Sequence, residues 1–599
     1  MSEYLLCPRN LCFELYEMHE AQELLQRERF AAHNRQFFDE TLDKARRIAG
    51  EMFAPHYRQT DEQEPHVVDG AAVLLPEVRP AVEAFIAGGF LTATRDRAQG
   101  GLQLPHLISQ ACFAHFQSAN VGTANYLFLA IGVAGLIDSF GNPEQKRLFL
   151  QPLLQGRFFG TMGMTEPDAG SALTELTTSA NPQADGSYHI RGCKTFISAG
   201  DHPLGENILH LVLARLPQAP AGARGVSLFI VPKFLLNADG SPGPRNGVTL
   251  RALLHKMGWR GSTTATLGFG DDAPCTGYLL GQPNQGLSYM FQMMNAARIS
   301  TGMGATMLGY AGYLYALDYA RKRIQGRPAD TRDPSAAQVA IIEHPDVRRL
   351  LIAQKAYVEG AFDLLLYAAR LLDDSQTLAG DQREIATQLL DLLTPIIKSW
   401  PSEFCLKAND LAVQTLGGYG YTRAHPVEQH YRDNRVNAIH EGTNGIQSLD
   451  LLGRKIGQHG GRTFNRLMTL IEDSCRRGET FDSLQPLWTP LRQLQQRLQT
   501  VSSGLLEDIA AGKAQQALAN SALYLKVFGH LVIGWRWLEQ AIRAEEGLMG
   551  NNAADTDFYK GKLRAARYFL TWELPSCQHD LDLLESRDDT CLGAQSRWL

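Results

Sequence analysis

Two neighbouring segments of the chain combine glycine, hydroxyl and aromatic residues in a way that could hold a flat ligand. The first is Gly163-Met-Thr-Glu-Pro-Asp-Ala-Gly-Ser171, and Lys194-Thr-Phe-Ile-Ser-Ala-Gly200 follows a short distance later. Together they supply the Thr165 and Ser198 hydroxyls and the ring of Phe196, which suit the edges and face of a flat heterocycle. Taken alone, the first segment is also an ordinary turn sequence, because Pro, Asp and Gly favour turns without any ligand.

A carboxylate suited to acid–base chemistry occurs in Asn437-Ala-Ile-His-Glu-Gly-Thr-Asn-Gly-Ile-Gln447. Glu441 stands between apolar residues and a glycine-containing helix start, so partial desolvation could tune its acidity. The alternative is a glutamate in the first turn of a helix, where a negative charge is favourable for electrostatic reasons alone.

A third kind of segment, Gln414-Thr-Leu-Gly-Gly-Tyr-Gly-Tyr-Thr422, directly follows a helical stretch. Gly417, Gly418 and Gly420 would allow the backbone to approach an anionic group and to offer N–H groups to phosphate. The commoner use of such glycines is to end a helix and form a turn.

The elements that must position these segments change in character along the chain. Apolar residues three and four apart predict helices from about residue 37 to 154, and short runs separated by Gly, Pro, Asn and Asp predict strands after Gly160. Long helical patterns return after Gly281 and a further set begins beyond Gly457. The expected fold is mostly α with a central β-domain. Its expected parts are an N-terminal extension (1–36), a helical domain (37–159), a β-domain (160–281), a helical bundle (282–456) and an appended helical domain (457–599).

Composition excludes several classes of protein. The 599 residues carry 44% hydrophobic and 20% charged residues and a net charge of -6, as in an ordinary globular protein without a basic stripe for nucleic acid. The 9 cysteines form no C-x-x-C pair, and neither cysteines nor histidines have metal-ligand spacing, so we expect reduced thiols and no metal. We expect no secretory signal and no stable membrane insertion, because charged residues interrupt the apolar stretch Ser521–Ile542.

The wording and order of several segments resemble the acyl-CoA dehydrogenase family. These segments are G-M-T-E-P-D-A-G-S, K-T-F-I-S-A-G, H-K-M-G-W-R-G-S, A-A-R-I, Y-A-R-K-R-I-Q-G, Q-T-L-G-G-Y-G-Y and I-H-E-G-T-N-G-I-Q. The similarity covers about residues 37–456 and includes two signature patterns of the family. The overall length and the extra C-terminal helices resemble the long subfamily that includes methylmercaptopropionyl-CoA dehydrogenases and bacterial fatty acyl-CoA dehydrogenases.

The resemblance implies a fold, a cofactor and a role for individual residues. It implies a helical domain, a small β-barrel and a four-helix bundle that bind FAD and remove hydrogen from an acyl-CoA, with Glu441 as the catalytic base. The residues implied at FAD are Met164, Thr165, Phe196, Ser198, Arg323, Gln325, Gln414, Gly417, Gly418 and Thr443, of which Arg323 and Gln325 would reach the FAD of a neighbouring subunit. The residues implied at the substrate are Ser171, Arg298, His440 and Gly442.

A few positions depart from the family pattern. Ala297 occupies the place where some branches have their base, so Glu441 has no rival there. Phe196 stands where many members have tryptophan, Ala172 where aspartate is usual and Gly445 where many have an amide. His440 stands where some members carry tyrosine, and we interpret it as a residue that closes the acyl pocket rather than as a proton-transfer group. Residues 124–134 are expected to contribute to that pocket.

The resemblance further implies partners and a location. We expect electrons to pass to an electron-transfer flavoprotein in fatty acid β-oxidation or related catabolism, in a cytoplasmic enzyme that is at least a homodimer. Two alternatives are an acyl-CoA oxidase that uses oxygen and a flavin-binding DNA-protection protein of the same fold.

Overall fold

The computed structural model describes residues 5–330, 332–550 and 555–599, without the side chains of residues 292–295. The described chain divides into two compact units. One, here called the barrel unit, contains residues 39–104 and 115–300. The other, here called the helical unit, contains residues 5–38, 105–114 and the described residues from 301 onward.

Helices dominate the first 154 residues, as their apolar spacing predicts. In chain order they are α1 (Pro8–Cys12), α2 (Arg35–Ile48), α3 (Tyr57–Glu62), α4 (Val78–Ala87), α5 (His106–Phe140), α6 (Pro143–Gln145) and α7 (Gln151–Leu154). The start of α6 is fixed by a reciprocal cap in which Asn142 and Gln145 each bind the other's backbone N–H. The long helix α5 has a break at Asn120, whose side-chain oxygen accepts from the N–H of Thr123 at 3.1 Å.

Helix α5 is, among the described helices, the one long and apolar enough to cross a membrane. Of its most apolar window, 72% is buried inside the protein, which is the burial of a core helix. The late apolar stretch is likewise a core helix, because most side chains from Ser521 to Ile542 are buried.

The β-domain lies entirely in the barrel unit. Its strands, with two small hairpins, are β1 (His66–Val68), β2 (Ala71–Val73), β3 (Phe158–Gly163), β4 (Ser179–Pro182), β5 (Tyr188–Ser198), β6 (Asn207–Arg215), β7 (Val226–Pro232), β8 (Phe234–Leu236), β9 (Pro242–Arg245), β10 (Val248–Leu253), β11 (Thr264–Phe269) and β12 (Thr276–Leu279). The main sheet has the order β10-β11-β5-β12-β7-β6-β3, and β4 joins β5 to β6. The pairings β5–β12–β7–β6–β4–β5 therefore close on themselves, which confirms the predicted small β-barrel.

Long helices return after the barrel. They are α8 (Gly286–Lys322), α9 (Pro345–Thr377), α10 (Gly380–Leu416), α11 (Val427–Asn434), α12 (Asn444–Asp450), α13 (Arg462–Gly478), α14 (Gln485–Ala510), α15 (Ala514–Leu518), α16 (Ser521–Met549), α17 (Thr556–Tyr568) and α18 (Cys577–Ser586). The sequence predicted two stretches near 384–398 and 403–416, whereas α10 is continuous through Pro395 and Pro401. Burial of residues 394–402 holds this segment helical despite the N–H groups that the prolines lack.

Residues 5–38 belong to the helical unit, whereas residues 39–104, which follow them in the chain, belong to the barrel unit. Lys562 on α17 donates to Glu14 at 3.2 Å, and Arg9 pairs with Asp555 at 2.8 Å. The predicted fold class, mostly helical with a central β-barrel and extra C-terminal helices, is confirmed. The five domain boundaries stay predictions.

Candidate active site

The first signature segment leaves β3 as a tight loop of the barrel unit. Glu166 and Ala169 exchange backbone hydrogen bonds of 3.0 and 3.1 Å across the turn. The carbonyl of Thr165 accepts from the N–H of Thr195 at 2.9 Å, so the loop runs beside β5. The structure therefore brings Met164 and Thr165 next to the segment that carries Phe196 and Ser198.

A buried ion pair fixes this loop. The Glu166 carboxylate accepts from the N–H and hydroxyl groups of Thr177 and Thr178 at 2.6 to 2.9 Å and from Lys194 at 2.9 Å. Lys194 is fully buried and also donates to the carbonyl of Met164 at 3.2 Å. Burial alone would raise the pKa of Glu166, but Lys194 and the threonine donors outweigh it and lower that pKa to about 2.

Phe196 lies at an irregularity between β5 and β11. Ser198 pairs with Thr264 and Ile197 with Ala265, and the register then shifts before Leu267. At this bulge Phe196 has φ 57° and is 68% exposed, a backbone conformation that aromatic residues rarely adopt. The bulge thus exposes a large flat ring, directly after the residue that bonds the Thr165 loop and two residues before Ser198.

The remaining predicted residues of the barrel unit are spread out. Ser171 is exposed on the loop that leads to the turn Leu173–Glu175. Arg298 is buried on α8, one residue after Ala297.

Glu441 lies in the helical unit, in a turn between the 3₁₀ segment Arg435–Ala438 and α12. Glu441 has φ 55° and Gly442 φ 85°, so two consecutive residues are left-handed. Thr443 caps α12 by accepting from the N–H of Ile446 at 3.3 Å. The Glu441 side chain is half-buried and comes before the cap, which rules out the first-turn glutamate alternative.

Interior side chains hold the carbonyl groups of this turn. Gln447 donates to the Glu441 carbonyl at 3.1 Å, and Lys398 donates to the Gly442 carbonyl at 2.8 Å. Lys398 also donates to the side-chain oxygen of Asn444 at 3.2 Å. A non-glycine residue in the left-handed region needs such support, because the conformation costs about 1–2 kcal/mol.

His440 ends a chain of buried amides. Asn434 donates to the carbonyl of Ala305 and to Asn409, and Asn437 donates to Asn434 at 3.0 Å. The Asn437 oxygen therefore faces Nε2 of His440, 2.9 Å away, and that nitrogen carries the proton. Burial and the charge of Lys398 lower the pKa of His440 to about 3.

The glycine segment after α10 is open to solvent. The N–H of Gly417 caps α10 by donating to the Gln414 carbonyl, so the helix-ending interpretation is correct for this glycine. Gly417 has φ 61°, and a Cβ built on Gly417 or Gly418 would meet nothing within 4 Å. The exposed backbone is thus also free to approach a ligand.

Arg323 and Gln325 lie close to the same segment. Arg323 donates to the Gln325 side chain at 3.0 Å, and its guanidinium carbon is 6.0 Å from the centre of the Tyr419 ring. Both residues are exposed. The helical unit therefore gathers Gln414, Gly417, Arg323 and Gln325 on one patch.

Sequence reasoning missed the residues that hold these loops. Glu166 and Lys194 belong to the two segments described from the sequence. Their pairing could not be predicted, because it depends on which strand lies beside the Thr165 loop. Lys398 had one usable signal, a lone lysine in the apolar run Thr394-Pro-Ile-Ile-Lys-Ser-Trp400, because a buried ammonium must find partners.

One group of possible metal ligands occurs among the described residues, although none was expected. Glu14, His19 and Asp363 place ligand atoms within 4.8 Å of one another. Both Asp363 oxygens accept from Arg536 at 2.9 Å, however, and Glu14 accepts from Lys562. Protein cations thus already neutralise these carboxylates, and the group is a buried ionic network.

Four family models match the chain in order. They are described as the acyl-CoA dehydrogenase N-terminal domain (38–157), middle domain (161–271) and C-terminal domain (284–456), and as acetyl-CoA dehydrogenase C-terminal like (467–595). The appended helices are thus a matched region, as the predicted long subfamily requires.

Curated relatives match over nearly the whole chain. The 3-methylmercaptopropionyl-CoA dehydrogenase of Ruegeria pomeroyi is 36% identical over 92% of this chain and 93% of its own. The broad-specificity linear acyl-CoA dehydrogenase FadE5 of Mycobacterium tuberculosis is 34% identical over 98% of both chains.

A solved structure has the same fold. An acyl-CoA dehydrogenase of Bacillus anthracis complexed with FAD is 20% identical, with a TM-score of 0.71 over 94% of this chain and 89% of that chain. The predicted enzyme class and its FAD cofactor are confirmed with the family. On these matches over its whole length, the chain belongs to the acyl-CoA dehydrogenase family.

Proposed function

We propose that this acyl-CoA dehydrogenase converts an acyl-CoA thioester to the trans-2-enoyl-CoA, with Glu441 as the base that removes the α-proton. The observation that carries the proposal is the turn at Glu441 and Gly442. It presents a half-buried carboxylate on a backbone that two side-chain donors hold in place. A base must be fixed in this way, because proton transfer depends on reaching one atom at hydrogen-bond distance.

The α-proton of a thioester is too weakly acidic for a free carboxylate at neutral pH. The site must therefore stabilise the negative charge that develops on the thioester oxygen. We assign one donor to the backbone N–H of Glu441, which the turn orients. Burial lowers the pKa of His440 to about 3, so the ring is neutral at pH 7, and we assign it to closing the acyl pocket rather than to proton transfer. Ser171, Arg298 and Gly442 complete the proposed substrate contacts.

Each unit, taken by itself, offers groups of the kind that hold FAD. Phe196 offers an exposed flat ring, Thr165 and Ser198 offer hydroxyls, and Gly417 and Gly418 leave backbone space that a Cβ would fill. The other residues that would hold the cofactor are Met164, Arg323, Gln325, Gln414 and Thr443. When bound, FAD supplies the acceptor for the hydride from the β-carbon.

Electron acceptor, pathway and assembly are further parts of the proposal. We assign an electron-transfer flavoprotein as acceptor and acyl-CoA catabolism in the cytoplasm as setting, since the curated relatives are named dehydrogenases rather than oxidases. Arg323 and Gln325, exposed beside the Gly417 segment, are assigned to the FAD of a second subunit of a homodimer. Light scattering of the FAD-loaded enzyme should give at least twice the chain mass, and a loaded monomer contradicts the homodimer.

The central experiment replaces the proposed base. Glu441→Gln should retain yellow FAD but lose the anaerobic bleaching that acyl-CoA causes, by at least about 1,000-fold in rate. The matched control is Glu507→Gln, an exposed carboxylate of the same unit, which should bleach at the wild-type rate. Wild-type bleaching in Glu441→Gln would overturn the assignment of the base.

Two assays separate the alternative functions. An oxidase would form peroxide from acyl-CoA and oxygen without an electron-transfer flavoprotein, whereas the proposed dehydrogenase should need that protein or a dye. A DNA-protection protein would bind DNA with an affinity that falls steeply with salt. Initial rates against a panel of acyl chain lengths then define the substrate.

A further inference from the structure

Lys398 is a buried lysine on α10 that the proposed chemistry does not use directly. All residues from Thr394 to Ser402 are buried, and the Lys398 side chain is 0% exposed. Carrying an ammonium group into such a place is unfavourable unless oxygen atoms surround it. The partners of Lys398 therefore indicate what the lysine is for.

Its hydrogen bonds go to the turn that carries the proposed base. Nζ donates to the carbonyl of Gly442 at 2.8 Å and to the side-chain oxygen of Asn444 at 3.2 Å. Ser402, one turn further along α10, donates to the same Asn444 oxygen at 3.2 Å. The Lys398 side chain thus bonds both Gly442, the residue after Glu441, and Asn444, the first residue of α12.

The turn needs an external support because its own backbone does not favour it. Glu441 is left-handed at φ 55°, and an L-residue with a long side chain leaves that region readily unless neighbouring groups hold it. Gln447 fixes the Glu441 carbonyl from α12, and Lys398 fixes the next carbonyl from α10. The two donors lie on different helices, and together they hold the two peptide groups on either side of Gly442, of which the first begins with the Glu441 carbonyl.

We infer that Lys398 is a positioning residue for α-proton removal, because its ammonium group holds the Gly442 carbonyl and so fixes the direction of the Glu441 carboxylate. This inference rests on the proposed function of Glu441. A displacement of a catalytic group by about 1 Å lowers the rate by about 100-fold, while binding of the remote parts of the substrate changes little. Loss of Lys398 should therefore lower kcat and leave KM nearly unchanged.

The test compares FAD-loaded Lys398→Met with Lys455→Met. Lys455 is a second buried lysine of the helical unit, paired with Asp391 and not bonded to the turn. We expect Lys398→Met to lower the rate of anaerobic bleaching by about 100-fold with KM within about 3-fold of wild type. Lys455→Met should bleach at a rate close to wild type.

A second readout isolates the proton step. Acetyl-CoA has α-protons but no β-carbon, so its exchange with D2O, followed by NMR, reports proton removal without hydride transfer. Lys398→Met should slow this exchange by the same factor as bleaching, and Glu441→Gln should abolish it. Hydrogen–deuterium exchange of the segment 435–450 should be faster in Lys398→Met than in Lys455→Met.

The outcomes separate the two proposals. Wild-type exchange and bleaching in Lys398→Met, with loss of both in Glu441→Gln, would overturn the role of Lys398 alone. Wild-type exchange in Glu441→Gln would overturn the proposed function. Should Lys398→Met fail to fold, Gln447→Leu removes the other support of the turn, and an unchanged exchange rate in that variant would likewise contradict positioning by these donors.

Discussion

The carboxylate of Glu166 illustrates how a single residue can fix a ligand-binding loop without facing the ligand. Its bonds to Thr177, Thr178 and Lys194 connect the loop of Thr165 to β5. We predict that Lys194→Met lowers the free energy of unfolding by about 3–5 kcal/mol, because it leaves a buried carboxylate without its counter-ion. Denaturant titration measures this, with Arg157→Met as control. Arg157 and Glu206 form an exposed pair, for which at most about 1 kcal/mol is expected.

The same ion pair gives a pH dependence with a definite sign. The pKa of Glu166 is about 2 in the folded protein, below the ordinary value of 4.5 for a glutamate. Its stabilisation is therefore complete above about pH 4.5 and is lost as the pH falls toward 2. If Lys194→Met unfolded at the same denaturant concentration as Arg157→Met, the ion pair would not be what fixes the loop.

His440 gives a second prediction for a single residue. Its pKa of about 3 in the folded protein lies below 6.5, so unfolding takes up a proton and stability falls as the pH drops from 6.5 toward 3. We predict that His440→Gln, which can still donate to Asn437, loses about 1–2 kcal/mol less stability than wild type between pH 7 and 5. Melting temperatures at both pH values test this, and the exposed His579→Gln is the control. An unchanged pH dependence in His440→Gln would mean that folding does not lower the pKa of His440.

At the bulge in β5, backbone strain at Phe196 lowers stability, while the exposed Phe196 ring is proposed to bind FAD. Phe196 and Ala199 are both left-handed, at φ 57° and 52°. Phe196→Gly should relieve strain and raise apoprotein stability by about 1 kcal/mol, yet weaken FAD binding because the exposed ring is lost. Ala199→Gly is the matched control, which relieves similar strain and keeps the ring. FAD titration and apoprotein melting measure both effects, and equal FAD affinity in the two variants would contradict a role for the Phe196 ring.

The sequence predicts these elements well but not the details that make them a site. The helical and strand periods, together with the motif resemblance, predicted the barrel with the strand that carries Ser198, the long helices and the turns that carry Thr165 and Glu441. Phe196 lies on the same strand, β5, as Ser198, and its outward turn was not predicted because it depends on a register shift between β5 and β11. Lys398 was not predicted either, because its bonds join a helix interior to a turn 44 residues away.

At the scale of the whole molecule, the buried ionic network ties distant parts of the helical unit together. Lys562 bonds Glu14 at 3.2 Å and Glu359 at 3.0 Å, and all three are buried. Burial raises the pKa of Glu14, and the charge of Lys562 opposes that rise. No sequence pattern predicts such a network, because Lys562, Glu14 and Glu359 lie on different helices and are not separated by any regular spacing along the chain.

Replacing Lys562, the cation that bonds both Glu14 and Glu359, should weaken the packing of residues 5–38. Lys562→Met is expected to cost about 3–5 kcal/mol, because two buried carboxylates then share too few donors. Denaturant titration should show the loss, and limited proteolysis should cleave residues 5–38 first. Arg349→Met removes an exposed pair with Asp346 and should change the free energy of unfolding by at most about 1 kcal/mol. Equal stability of the two variants would contradict the importance of the network.

The Glu14–Lys562 bond also has a consequence for how the protein is made. The two residues are 548 positions apart, so a ribosome must synthesise all the residues between them before the partner of Glu14 emerges. The barrel unit, by contrast, is complete once residue 300 has left the exit tunnel. During translation the barrel unit should therefore fold while residues 5–38 still lack their partners in the helical unit, a stage at which nascent-chain chaperones would find exposed apolar surface.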